Sequence, residues 1–181
     1  NIIPGDYDGD GKTDFIRQEK GTWDDDTISS FQIAFSRGDG YFDVVEPNVP
    51  DYQNYLRFDT GVNLIAGDYN GDGKTDFIRQ EKGAMDDDTS SSFQIYYSRG
   101  DGYFDIITPE GGVYQDWLRF DYGANIISGD YNGDGYDDFI RQEKGTWDDD
   151  ESNNFNVYFS VPERHNLLKA IGYGDHWKIS L

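Results

Sequence analysis

The 181-residue sequence contains no cysteine, one methionine and five prolines. The absence of cysteine excludes a disulfide framework and any thiolate nucleophile or metal ligand. Alanine, leucine and methionine, which favour helices, are all scarce, so an all-helical fold is not expected. No apolar run approaches the ~20 residues of a membrane-spanning helix, and membrane insertion is not expected either.

Basic charge is also sparse, since 15 Lys and Arg stand against 36 Asp and Glu, giving a formal net charge of −21. Such a chain repels phosphate, which argues against binding to nucleic acid or to anionic membrane surfaces. The sequence shows neither a signal peptide nor an initiator Met, which we interpret as a processed chain or an excised piece.

What the sequence does contain is aromatic side chains, at 17%, and 22 glycines. This aromatic content is too high for a disordered acidic chain, and the glycines indicate many tight turns. The composition therefore predicts an all-β fold with an acidic surface.

An internal repeat dominates the chain. The tripeptide Gly-Asp-Tyr begins at Gly5, Gly67 and Gly129, a spacing of 62 residues, and the first two units are identical at about 43 of 62 positions. We treat the chain as one repeat domain, 1–181, with units at about 1–62, 63–124 and 125–160 and a tail at 161–181. The tail regains a faint likeness to a first strand near Ile179.

Each unit divides into short strands. Alternating apolar residues from Phe31 to Phe35 predict a half-buried strand, and a Gly-Asp-Gly turn leads from it into a strand at 41–45. Further strands are predicted at 14–19, 63–66 and about 55–58, the last recurring at about 117–120. Four to five short strands per unit fit one blade of a β-propeller. Because three blades are too few to close, the sequence predicts part of a propeller or one completed by other chains.

An Asp-rich loop opens every unit. Side-chain oxygens occupy loop positions one, three, five and nine, a glycine at position six permits a sharp turn, and the carbonyl of position seven adds a ligand, as calcium requires. An EF-hand is excluded because position twelve is arginine. The alternative is an Asx-rich turn without metal. The predicted ligands of about three Ca²⁺ ions, one per repeat, are Asp6, Asp8, Asp10, Lys12 (carbonyl) and Asp14; Asp68, Asn70, Asp72, Lys74 (carbonyl) and Asp76; and Asp130, Asn132, Asp134, Tyr136 (carbonyl) and Asp138.

These loops, set between short strands at this spacing, resemble the FG-GAP or VCBS-type repeat over about residues 1–160. The resemblance implies integrin-like β-propeller blades, as in some calcium-binding lectins. It also implies that the same side chains and carbonyls ligate calcium, and that the ion chiefly braces each blade.

A second acidic cluster, Asp-Asp-Asp, follows Trp23 and Trp147, with Met85 at the equivalent place. It is either a solvated acidic turn, a second metal site or a glycan-binding rim, because carboxylates accept sugar hydroxyls and indole rings stack on pyranoses. The candidate ligand-binding residues are Trp23, Asp25, Trp147 and Asp149. The Arg-Gly-Asp sequences at Arg37 and Arg99 fit hairpin turns better than receptor recognition.

Catalytic signatures are absent: the two histidines lie in the tail, and no nucleophile elbow or phosphate loop occurs. The sequence therefore predicts a non-enzymatic, calcium-binding, extracellular or cell-surface binding or adhesion module. Its expected partners are a glycan or cell-surface ligand and further copies of itself. One alternative is a structural repeat protein that assembles through edge strands; another is an accessory domain of a secreted enzyme.

Overall fold

The computed structural model describes residues 1–19, 30–47, 56, 62–81, 92–108, 124–143, 155–160 and 169–172. All regular structure in these residues is β, and no helix there is long and apolar enough to cross a membrane. The strands are β1 (Ile2–Gly5), β2 (Asp14–Glu19), β3 (Ser30–Ser36), β4 (Phe42–Val45), β5 (Val62–Gly67), β6 (Asp76–Glu81), β7 (Ser92–Ser98), β8 (Phe104–Ile107), β9 (Ala124–Gly129), β10 (Asp138–Glu143), β11 (Phe155–Phe159) and β12 (Lys169–Gly172).

The strands form three separate four-stranded sheets, one per unit, ordered β1-β2-β3-β4, β5-β6-β7-β8 and β9-β10-β11-β12. Every neighbouring pair is antiparallel. The register repeats as well, with Ile16 opposite Ile33 in the first sheet and Ile78 opposite Ile95 in the second. The all-β prediction with three antiparallel sheets is confirmed.

Most strand predictions agree with the structure to within a residue or two. The strand predicted at 14–19 has those bounds, and those at 63–66 and 41–45 are found at Val62–Gly67 and Phe42–Val45. Of the range 55–58 the structure describes only Leu56, which is buried and not in a strand. The ranges 117–120 and 176–180 lie outside the described residues.

The apolar core lies between consecutive sheets rather than within one. Side chains of each strand alternate between two faces, so the second sheet turns Phe77 toward the first unit and Ile78 toward the third. Phe77 stacks on Tyr96 with ring centroids 4.6 Å apart, and the third sheet repeats this pair at Phe139 and Tyr158, at 4.8 Å. The core between the first and second sheets contains Tyr7, Ile16, Phe31, Ile33, Leu56, Phe77, Tyr96 and Phe104; that between the second and third contains Tyr69, Ile78, Ile95, Phe139 and Tyr158.

Candidate metal centre

Each Asp-rich loop is wound around the carboxylate of its first residue. In the first loop, Asp6 Oδ1 accepts hydrogen bonds from the amides of Gly9 (2.9 Å) and Asp10 (3.1 Å), and Oδ2 accepts one from Gly11 (2.9 Å). Gly9 and Gly11 have φ of 79° and 84°, a left-handed conformation that glycine adopts without strain. Asp68 and Asp130 make the same three bonds in their loops.

The carboxylate at position nine connects the loop to the rest of its sheet. Asp14 is buried, and it accepts hydrogen bonds from the amides of Tyr7 (2.9 Å) and Ser36 (2.8 Å). Asp76 and Asp138 repeat both bonds. Sequence reasoning assigned this aspartate only a ligand role, although it also holds the loop to the end of the sheet's third strand.

Three predicted ligands of the first loop come together. Carboxylate oxygens of Asp6, Asp8 and Asp14 all lie within 4.8 Å of one another. Backbone amides donate hydrogen bonds to each of these carboxylates and hold them in place. The available ligand atoms are all hard oxygens, which suits Ca²⁺. The trio therefore fits a calcium ion, with the Lys12 carbonyl as the further predicted ligand.

The aspartate at loop position five, Asp10, lies outside this trio. Its carboxylate forms an ion pair with Lys12. Asp72 pairs in the same way with Lys74, at 2.8 Å. In the third loop Tyr136 replaces the lysine, and Asp134 accepts a hydrogen bond from the side chain of Asn132 at 2.9 Å.

The residue at loop position three is an aspartate in the first loop and an asparagine in the other two. Asn70 and Asn132 stand where the first loop has Asp8, so these loops offer an amide oxygen among their carboxylates. Amide oxygens also ligate calcium. At loop positions one, three, five and nine, the first loop thus has four carboxylates, whereas the second and third loops have three each.

Three of the loop carboxylates, those of Asp8, Asp76 and Asp138, have a raised pKa without a cation, whereas backbone hydrogen bonds lower the pKa of Asp130. Burial raises the pKa of Asp76 to about 8, and the charges of Asp72 and Asp68 add to the rise. Burial also raises the pKa of Asp138, and of Asp8, where Asp14, Asp10 and Asp6 contribute as well. Because a divalent cation favours the ionised form of each carboxylate, it would relieve this penalty.

Consecutive loops are joined by a residue that sequence reasoning missed, at position eight. The amide of Asp6 donates to Thr75 Oγ1 (2.8 Å), and the amide of Thr75 donates to the Asp6 carbonyl (2.6 Å). Asp68 and Asp137 repeat the exchange at 2.8 and 2.7 Å. The sequence signal was a residue with a side-chain oxygen, Thr or Asp, at the same position of every loop.

The other candidate residues are placed as follows. Trp23, Asp25, Trp147 and Asp149 lie outside the described residues. In the Arg-Gly-Asp segments, Arg37 and Arg99 form ion pairs with Asp43 and Asp105. The carboxylates of Asp39 and Asp101 each accept a hydrogen bond from the backbone amide two residues later in the chain, at 3.0 Å. All four side chains thus serve the turns.

Comparison with known proteins adds one finding about the fold. No protein-family model and no curated protein matches the chain. Among solved structures, the chain is similar to an Agrocybe aegerita lectin whose structure is described as the basis of specific recognition of non-reducing terminal N-acetylglucosamine. The match has a TM-score of 0.61 at 21% identity and covers 97% of this chain. The chain spans 38% of the length of that lectin.

Proposed function

We propose that this chain is a calcium-binding, non-catalytic module of the FG-GAP or VCBS type, acting outside the cell as a carbohydrate-binding unit. The observation that carries the calcium part is the meeting of Asp6, Asp8 and Asp14 within 4.8 Å. An extracellular location follows from the ion, because sites of this kind fill at millimolar extracellular calcium.

The architecture supports a propeller-blade interpretation. Three consecutive four-stranded antiparallel sheets, each about one repeat long, pack through apolar faces, as blades do. Three such sheets make up part of a propeller, because closed propellers have about four to eight blades.

The carbohydrate part rests on the fold. The lectin shares this fold along nearly the whole chain, and its described ligand is a terminal N-acetylglucosamine. A fold hosts many functions, so the ligand class needs its own test. The indole rings of Trp23 and Trp147, each beside three aspartates, are the residues on which we place the sugar contact.

Calcium is expected to raise the thermal unfolding temperature. A ligand that binds only the folded chain stabilises it by about 2.7 kcal/mol at about 100 times its Kd. For a chain of this size that corresponds to a rise of about 5–10 °C per site. Differential scanning calorimetry in calcium, magnesium and excess chelator measures it, and equal unfolding temperatures in calcium and chelator would contradict the proposal.

The Trp23→Ala/Trp147→Ala double variant is expected to lose binding to glycans ending in N-acetylglucosamine, because stacking on both indole rings is removed. A glycan array measures the loss. Met85→Ala is the matched control, since Met85 occupies the equivalent position of the second unit and offers no flat ring. Unchanged binding by the double variant would exclude the tryptophans, and an array with no bound glycan would exclude the carbohydrate function.

A further inference from the structure

The contact between the first and second units joins two unlike faces. We call "front" the face of the first unit that bears Gly5, Tyr7 and Phe31, and "back" the face of the second that bears Thr75 and Phe104. The Phe104 ring meets the rings of Tyr7 and Phe31 with centroids 6.4 Å away in each case. Each unit therefore offers a front to the next unit and a back to the previous one.

Polar contacts set the register of this interface. Thr75 exchanges two hydrogen bonds with the backbone of Asp6, and Ser98 Oγ donates to the Tyr7 carbonyl at 2.6 Å. The front of the second unit meets the back of the third through the same backbone exchange, between Asp68 and Asp137, although Ser160 Oγ donates to the Asp137 carbonyl of its own unit. The exchange that sets the register of the head-to-tail interface thus occurs twice within one chain.

The front of the third unit is exposed. Tyr131 is 42% accessible to solvent, whereas its equivalents Tyr7 and Tyr69 are 0% and 4% accessible because the next unit covers them. Ile127 is likewise 53% accessible, although its equivalent Ile65 packs against the core. The front of the third unit therefore has the same residues that are buried between units elsewhere in the chain, but here they are exposed to solvent.

The back of the first unit is exposed as well. Phe42 is 40% accessible, whereas its equivalent Phe104 is 2% accessible. Thr13, the equivalent of Thr75, is exposed, and so is Arg17, whose equivalents Arg79 and Arg141 are buried. The first and third units therefore expose the two complementary halves of the interface that joins the first unit to the second.

We propose that the chain associates head to tail, the back of the first unit of one copy docking on the front of the third unit of another. A second copy is the occupant because it carries the same residues in the same arrangement. Thr13 would bond the backbone of Asp130, Ser36 would donate to the Tyr131 carbonyl, and Phe42 would pack beside the Tyr131 ring. The inference does not depend on calcium or glycan binding.

Gly129 marks the docking position. A Cβ atom on Gly5 would lie 2.6 Å from the Thr75 methyl carbon, and one on Gly67 would lie 2.9 Å from Asp137 Oδ2. On Gly129 it would meet only the ring of Tyr131, at an ordinary 3.4 Å. A Cβ atom at 129 therefore has ordinary space in the free chain but would occupy the space that Thr13 of the second copy needs.

Two properties of the association follow. Unlike faces give a heterologous interface, which closes into a ring if the rotation permits and otherwise grows into a filament. Because each copy has a formal net charge of −21, like charges oppose association and salt should favour it. At about 0.15 M ionic strength the screening length is about 8 Å.

The test is the native mass of the 181-residue chain by light scattering at physiological salt. Wild type should exceed the mass of one chain, whereas Gly129→Leu and Thr13→Arg should each give single chains. Mixing the two variants should restore a particle of exactly two chains, because one intact front and one intact back remain. Thr108→Arg is the control and should keep the wild-type mass, since Thr108 is exposed in the second unit, which has a neighbour on both sides.

A cross-link provides a second readout that needs no loss of association. The chain lacks cysteine, so Thr13→Cys and Gly129→Cys introduce the only thiols. The built Cβ of Gly5 lies 2.9 Å from the Thr75 Cβ, close enough for a disulfide after small adjustment. A mixture of the two single variants should give a two-chain band on a non-reducing gel.

Three results would overturn the proposal. The first is a wild-type mass of one chain, which would assign the open faces to a different occupant, such as a further repeat in a longer protein. The second is a wild-type mass in Gly129→Leu or Thr13→Arg with normal circular dichroism. The third is no two-chain particle and no cross-link on mixing, which would exclude head-to-tail pairing even if the wild type is an oligomer.

Discussion

Replacing Phe104 by alanine is expected to lower the free energy of unfolding by about 3–5 kcal/mol, the usual loss for a fully buried phenylalanine. The ring is 2% accessible and lies between two sheets. It contacts Phe77 at a centroid distance of 4.8 Å within its own unit and reaches Tyr7 and Phe31 of the first unit. Urea unfolding followed by tryptophan fluorescence measures the change.

Phe42→Ala is the matched control, because Phe42 holds the same place in the first sheet but is 40% accessible. Its ring has the Phe15 ring as a neighbour, at 5.0 Å. In dilute protein the expected loss is about 1 kcal/mol or less. Equal losses for the two variants would mean that the packing between units adds nothing to stability.

The repeat explains why the fold could be predicted so far. Two copies of a unit that share most residues adopt the same strands. A turn signal such as Gly-Asp-Gly at residues 38–40 therefore occurs in both copies, and each occurrence supports the same strand boundary. The loop aspartates fixed where β2, β6 and β10 begin, since position nine is the first residue of each strand. Regular local signals of this kind are sufficient to predict three antiparallel sheets.

The strand β12 shows where this reasoning fails. The tail departs from the repeat after Ser160, and Lys169–Gly172 has no match to Phe42–Val45. It nevertheless pairs with β11 as the fourth strand of its sheet, with Val157 opposite Ile171. A short strand of this kind is determined by the free edge of β11 rather than by its own sequence.

Burial could not be predicted from the units one by one. Tyr7 and Tyr131 stand in nearly identical loops, yet one is buried and the other exposed. The difference comes from the neighbouring unit, which lies about 62 residues away in sequence. The exchange between Asp6 and Thr75 was missed for the same reason, because it joins residues 69 apart.

The last prediction separates the two roles of the loop carboxylates through Asp14→Ala and Asp8→Ala. Both residues belong to the trio that fits calcium, so both variants are expected to lose most of the calcium-dependent stabilisation of the first loop. The two variants are expected to differ in their stability when a chelator removes calcium. Asp14 is buried and accepts hydrogen bonds from the amides of Tyr7 and Ser36. Within the part of the chain that the structure describes, Asp8 accepts a hydrogen bond only from the amide of Asp10, in an exposed bond of 3.1 Å.

Asp14→Ala should therefore lower the free energy of unfolding by about 2–4 kcal/mol even in chelator, because two amides lose their acceptor. Asp8→Ala should unfold in chelator at nearly the wild-type temperature. Calorimetric titration gives the binding count, which should fall by one ion in each variant. If Asp8→Ala keeps the wild-type count, the first loop does not hold the ion through this trio; if Asp14→Ala is as stable as wild type in chelator, its carboxylate does not hold the loop to the sheet. The pair thus distinguishes a loop that calcium folds from one that is already folded and that calcium braces, and the three amides on Asp6 favour the second.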